Sequence, residues 1–255
     1  MEIARIFAEI SGGQVVSLII SAILIGINKT AVPGAGLLPV VLLTGAFDPR
    51  LGAGLQLGML AAADVMAVIW YRRHADWKLL LKLLPWAVAG LVIGSVIMRL
   101  IPEGNGWGLR ILIGSIILAL IVFSWLREKI SAEAVPSGTA AGAFFGILLG
   151  VTTQLANAAG PVAAVYFLAM KLPKEKYMGT NAWFFLIINW IKLPIFISEG
   201  RISPESIKMD LCMLPFLVAG AAVGILLLKR MNQHLFEQII RYLALLASLK
   251  LILQF

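Results

Sequence analysis

Apolar residues run along this chain in ten blocks separated by short polar links. Short blocks cover 14–27 and 35–46, and longer ones follow at 51–71, 79–101 and 108–126. A polar link from Arg127 to Ser137 interrupts the pattern near the middle. Two more short blocks, 138–155 and 158–170, precede longer ones at 178–198, 209–229 and 235–255. A helix needs roughly twenty apolar residues to cross the hydrocarbon of a bilayer, and the long blocks have that length. Alternating ten-residue strand patterns are absent, so the reading is helical rather than a barrel.

Composition leads to the same place. Hydrophobic residues make up 60% of the 255 positions and charged residues 13%, with a mean hydropathy of +0.95. A soluble domain carries about a quarter of its residues charged, so the missing solvated face has to be lipid. The net charge of +8 does not point to nucleic acid, because the basic residues lie scattered in short links without interleaved aromatics. The start, Met1-Glu2-Ile3-Ala4-Arg5, reads as mature protein rather than a signal peptide. Cys212 is alone and reads as core packing, and neither His74 nor His234 has a metal or triad partner. No metal site or cofactor is expected.

The two halves, 1–130 and 131–255, repeat one pattern. Gly26, Gly36 and Pro49 align with Gly150, Gly160 and Pro173 at a constant offset. Pro85, Gly90 and Gly94 match Pro215, Gly220 and Gly224 at a slightly larger one, and Asp64 falls opposite Asn189. Duplicated units are common in transporters. If each pair of short segments is a hairpin that enters and leaves on one side, three spans follow it, and the second half is inverted. The hairpin reading also gathers Arg72, Arg73, Lys78, Arg127, Lys129, Lys171, Lys174, Lys176, Lys229 and Arg230 on one face. Glu2, Arg5, Glu9, Asp48, Arg50, Glu103, Glu199, Arg201 and Glu205 fall on the other. The positive-inside rule makes the basic face cytoplasmic and places both termini outside.

Candidate chemistry lies at the opening of each half. Asn28, Lys29, Thr30, Gly34 and Gly36 interrupt the first, and Thr152, Thr153, Gln154, Asn157 and Gly160 the second. Helix breaks at membrane depth are tolerated only where protein or a watery cavity satisfies the freed backbone. Helix N-termini there turn N–H groups and positive dipole ends toward an anion, and Lys29 adds a full charge. The alternative is a pair of ordinary surface turns with Lys29 among lipid headgroups. Thr180 and Asn181 open the next span of the second half and join the candidate substrate set. Asp64, Asn189 and Lys192 are intramembrane polar residues with coupling or structural roles. Asp64 reads either as a proton carrier, as a partner for Lys29, or as a structural contact; Lys192 either balances an anion or snorkels. Arg110 and Arg241 read as snorkelling, the paired glycines as close helix packing, and Trp70, Trp77 and Trp107 as interfacial anchors.

The stretches Leu155-Ala156-Asn157-Ala158-Ala159-Gly160-Pro161, Leu172-Pro173-Lys174 and Gly179-Thr180-Asn181 resemble the TauE/SafE family, sulfite exporters also grouped as toluene-sulfonate uptake permeases. The resemblance implies a two-repeat membrane fold and transport of sulfur-containing anions such as sulfite, sulfonates or sulfoacetate. The expected partners are such an anion, a coupling proton or other ion, and the lipid bilayer, in the cytoplasmic (inner) membrane; a homo-oligomer stays open. A channel-like anion pathway is the nearest rival. A membrane-embedded enzyme lacks the clustered His, Asp or Glu that such chemistry needs. Lys29→Ala is expected to abolish anion flux and leave insertion intact.

Overall fold

The computed structural model describes residues 10–30, 36–102, 104–128 and 138–230, with isolated positions beyond 230. Met1–Glu9, Ala31–Ala35 (including Gly34), Lys129–Ser137, Arg241, His234 and most of the expected 235–255 span lie outside them. The described residues form helices and no strand. In chain order these are α1 (Gly12–Thr30), α2 (Leu37–Ala46), α3 (Pro49–Tyr71), α4 (Trp77–Leu100), α5 (Gly106–Glu128), α6 (Thr139–Ala156), α7 (Gly160–Ala169), α8 (Lys174–Ser198) and α9 (Pro204–Arg230).

All but α2 and α7 are long and apolar enough to cross a membrane, seven helices among the described residues. That corrects one expectation. The first arm of each pair is not short: α1 has 19 residues and α6 has 18, while α2 and α7 have 10 each. At 1.5 Å per residue the long arms reach about 27–29 Å and the short arms about 15 Å, half of a bilayer core.

Local chemistry sets the boundaries. Asp48 caps α3, its carboxylate accepting from the Arg50 amide at 2.9 Å, with Pro49 at the first helical position. Asp76 does the same for α4 through the Leu79 amide at 3.0 Å. In α6 the helix ends because Asn157 turns left-handed (φ 50°), while its N–H still reaches the Thr153 carbonyl at 2.9 Å. Three residues later α7 begins.

Contacts at both ends fix the directions of the helices. At one end the Gln14 amide donates to the Ala46 carbonyl (3.0 Å), Arg50 to Ile101 (2.8 Å) and Arg110 to Phe47 (3.4 Å). At the other, Thr180 accepts from the Asp76 amide (2.8 Å), Trp183 donates to the Arg72 carbonyl (3.3 Å), and the rings of Trp77 and Trp183 lie 5.0 Å apart. Gly54 near the start of α3 abuts the Arg201 backbone, and Gly179 near the start of α8 abuts His74 just past the end of α3. Hence α3 and α8 are antiparallel neighbours.

The paired glycines sit at two crossings. A Cβ on Gly90 would come within 2.9 Å of the Gly150 Cα, and one on Gly94 within 2.7 Å of the Gln154 Cβ, so α4 and α6 run parallel. Likewise a Cβ on Gly220 would lie 2.8 Å from the Ile23 Cα and one on Gly224 3.0 Å from the Ile27 Cα, so α9 and α1 run parallel. Only backbone-to-backbone packing allows such approach. Around these crossings one apolar core gathers Leu83, Phe145, Phe167 and Phe184, and a second gathers Leu18, Leu55, Met59 and Met213. The outer surfaces stay apolar, with Leu81, Leu100 and Leu226 all strongly exposed; lipid is the solvent that suits them.

Candidate functional site

Lys29 stands in the last turn of α1, and its ammonium forms an ion pair with Asp64 of α3. Asp64 is wholly buried and also accepts from the Asn189 amide of α8 at 2.6 Å. A buried carboxylate is tolerated when paired and hydrogen-bonded, and this one has both a cation and a donor. The Lys29 ammonium lies 4.5 Å from the centre of the Phe185 ring, which adds a cation–π contact.

One turn along α8, Lys192 is fully buried. Its ammonium donates to Thr153 Oγ1 at 3.0 Å and to Asn157 Oδ1, and it faces the Phe196 ring at 5.1 Å. Snorkelling is therefore ruled out for Lys192: its head group is held against the end of α6. Asn157 in turn donates to the Ala53 carbonyl of α3 at 2.8 Å, which ties the left-handed turn to α3.

Between these groups lies a cavity of about 40 Å³, room for a few waters in the form described. The end of α1 supplies Asn28 and Lys29, and the start of α2 supplies Gly36 and Leu37. The end of α6 supplies Thr153, Asn157 and Ala158, and the start of α7 Gly160 and Pro161. Leu60 of α3 and Asn181, Phe185 and Asn189 of α8 close it. Two helix C-termini and two helix N-termini thus meet at one small space. First-turn N–H groups of α2 and α7 lack intrahelical acceptors, a ready source of donors.

Four members of the candidate set have other work. Thr30 hydrogen-bonds the Gly26 and Ala221 carbonyls, both at 3.0 Å, at the α1–α9 crossing. Thr152 bonds back to the Leu148 carbonyl at 2.7 Å. Thr180 holds the Asp76 amide, away from the cavity. Gln154 donates to Ser95 at 2.8 Å and to Glu199 at 3.2 Å.

That last contact leads to residues the sequence did not single out. Arg201, taken for an outer-link residue, is fully buried, and Glu199 beside it nearly so. The Arg201 guanidinium pairs with Glu199 at 3.0 Å, donates to the Gln154 carbonyl at 3.0 Å and stacks 4.0 Å from the centre of the Phe196 ring. Burial pushes it down to about 10, partly offset by Glu199, so it stays charged at neutral pH. The link of only five residues between α8 and α9 was the available signal, since it leaves little chain to carry a charged pair away from the helices. Gln56 of α3 is also buried and within 3.4 Å of Asn157. A lone amide inside an apolar span marks an inward face, and that signal was legible. Asp210 is a fourth: its carboxyl lies against Gly58 of α3. Among the described residues no cluster of His, Cys, Asp and Glu could hold a metal ion.

Arg201→Met is expected to cost about 3–5 kcal/mol of stability by leaving Glu199 buried without its cation. Adding Glu199→Gln should return most of the loss; denaturant unfolding in detergent measures both.

A bundle of spanning-length apolar helices defines a multi-pass membrane protein, and a small, charged, hydrogen-bonding cavity lies between its helix ends. The sequence profile of the family described as "Sulfite exporter TauE/SafE" matches residues 18–251. The chain belongs to the TauE/SafE sulfite exporter family, a family of transporters. No curated protein and no solved structure matches it significantly.

Proposed function

We propose that this protein is a secondary transporter that exports small sulfur-containing anions, sulfite or a sulfonate, across the cytoplasmic membrane by alternating access. The cavity at the ends of α1 and α6 is the substrate site, with Lys29, Asn28, Thr153, Asn181 and the first turns of α2 and α7 as its donors. The observation that carries this reading is that both halves bring their helix ends to a single space. A site shared between two units is reached from either side when the units rock against each other.

The halves, 1–130 and 131–255, are on this reading inverted repeats. Two facts support it: α3 and α8, equivalent in order, lie antiparallel, and the crossings Gly26–Gly220 and Gly150–Gly90 exchange under the repeat. The link Arg72–Asp76 and the start of α8, with their basic neighbours Lys78, Lys174 and Lys176, share one end, taken as cytoplasmic. A cytoplasm-negative potential then favours anion exit by about 2.3 kcal/mol per charge per 100 mV.

The test is sulfite flux in proteoliposomes. Saturable flux that accelerates when unlabelled substrate is present on the far side is expected. Flux that stays linear in concentration and ignores the far side would favour the channel-like pathway instead.

A further inference from the structure

Two features of the cavity wall are not used by a generic anion site. The first is charge. Lys29 faces the cavity from α1 with Asp64 of α3 as its counter-ion, and Arg201 has Glu199. Lys192 of α8, directly behind Thr153 and Asn157, has no carboxylate within ion-pair distance among the described residues. Helices α2, α6 and α7 contribute no charged side chain at all. With Lys192 counted as an ammonium, the set beside the cavity (Lys29, Asp64 and Lys192) therefore has one cation in excess, while Asp210, a further buried carboxylate, lies apart against Gly58 of α3. A singly charged anion brings it to neutrality, whereas a dianion would leave an uncompensated negative charge in a dry site.

The second feature is an acceptor. Asp64 can only accept, so the Asn189 amide must turn its Nδ2 toward it. That leaves Asn189 Oδ1 buried with no donor among the described residues, and Asn28 Oδ1 is likewise without a partner among them. Both residues line the cavity. A fully deprotonated oxyanion presents only acceptors and would repel these oxygens; a ligand that keeps a proton can donate to one of them.

Resting on the anion-site reading above, we infer that the ligand is a singly charged oxyanion that retains an acidic proton, hydrogen sulfite being the simplest of that kind, and not a dianion. Lys192 acts in this as a positioning residue. It supplies the balancing charge through the Thr153 and Asn157 side chains, and by donating to the Thr153 oxygen it leaves that hydroxyl proton free for the ligand.

Calorimetric titration of the purified protein in detergent tests this, with sodium sulfite across the pH range of its second dissociation. Methanesulfonate, singly charged but without an acidic proton, and sulfate serve as parallel ligands. For sulfite the apparent Kd should rise about tenfold per pH unit above that dissociation, as the protonated fraction falls. Methanesulfonate should bind at least about tenfold more weakly than hydrogen sulfite, a difference of one hydrogen bond, with a Kd that ignores pH, and sulfate should not bind. A sulfite Kd that stays flat or tightens with rising pH overturns the inference while leaving an anion transporter. So does methanesulfonate that matches hydrogen sulfite or shares its pH dependence. Absence of binding by every sulfur oxyanion at every pH overturns the substrate reading itself.

Discussion

Asp64→Asn will lower the stability of the protein in detergent by about 3–5 kcal/mol, and Lys29→Met added to it will restore most of that loss. The reason is the ion pair between Lys29 and Asp64, whose carboxylate has no exposed surface. Removing either partner strands the other charge in a low-dielectric site, and removing both leaves only a neutral contact to Asn189. Lys29→Ala alone therefore tests two things at once, and the expectation of intact insertion with lost flux has to be separated from simple unfolding. The double variant does so. It should fold, insert and fail to transport sulfite in proteoliposomes. Transport at the native rate by a stable double variant would remove the pair from the site.

Gly26→Ala and Gly150→Ala will each destabilise the protein by about 1–3 kcal/mol, and by similar amounts. A Cβ on Gly26 would sit 2.6 Å from the Ala221 amide nitrogen, and one on Gly150 2.7 Å from the Gly90 Cα. Both neighbours are backbone, so a helix has to move. Gly138→Ala, with nothing within 4 Å of its added Cβ among the described residues, is the control and should be neutral within about 0.5 kcal/mol. Thermal unfolding in one detergent compares all three. A neutral Gly150→Ala would mean that α4 and α6 do not cross as closely as described, and a large inequality between the pair would count against equivalent repeats.

Much of the architecture was readable in the chain. The expected 51–71 and 178–198 spans became Pro49–Tyr71 and Lys174–Ser198, because caps such as Asp48 and prolines such as Pro49 and Pro173 mark starts locally. Helix ends at the two candidate breaks were less readable. Asn28-Lys29-Thr30 and Thr152-Thr153-Gln154 look like interruptions, yet both are helical. Lys29 finds Asp64, Thr30 finds the Gly26 and Ala221 carbonyls, and Thr152 bonds back to Leu148. Polar side chains break a helix in isolation because they compete for its backbone. Here tertiary partners remove that competition, and the helix runs on until Asn157 turns.

Sequence alone thus determined the lipid-embedded helical class and the small-residue positions where helices could approach, and it supplies the matched order of segments on which the proposed repeat rests. Those are properties of composition and period, which the solvent of each face dictates. Tertiary structure alone decided which polar groups meet: Lys29 with Asp64, Lys192 with the end of α6, and Arg201 buried beneath a link that reads as exposed. Such pairings join residues distant along the chain, and buried charge is affordable only where a partner from another helix arrives to satisfy it.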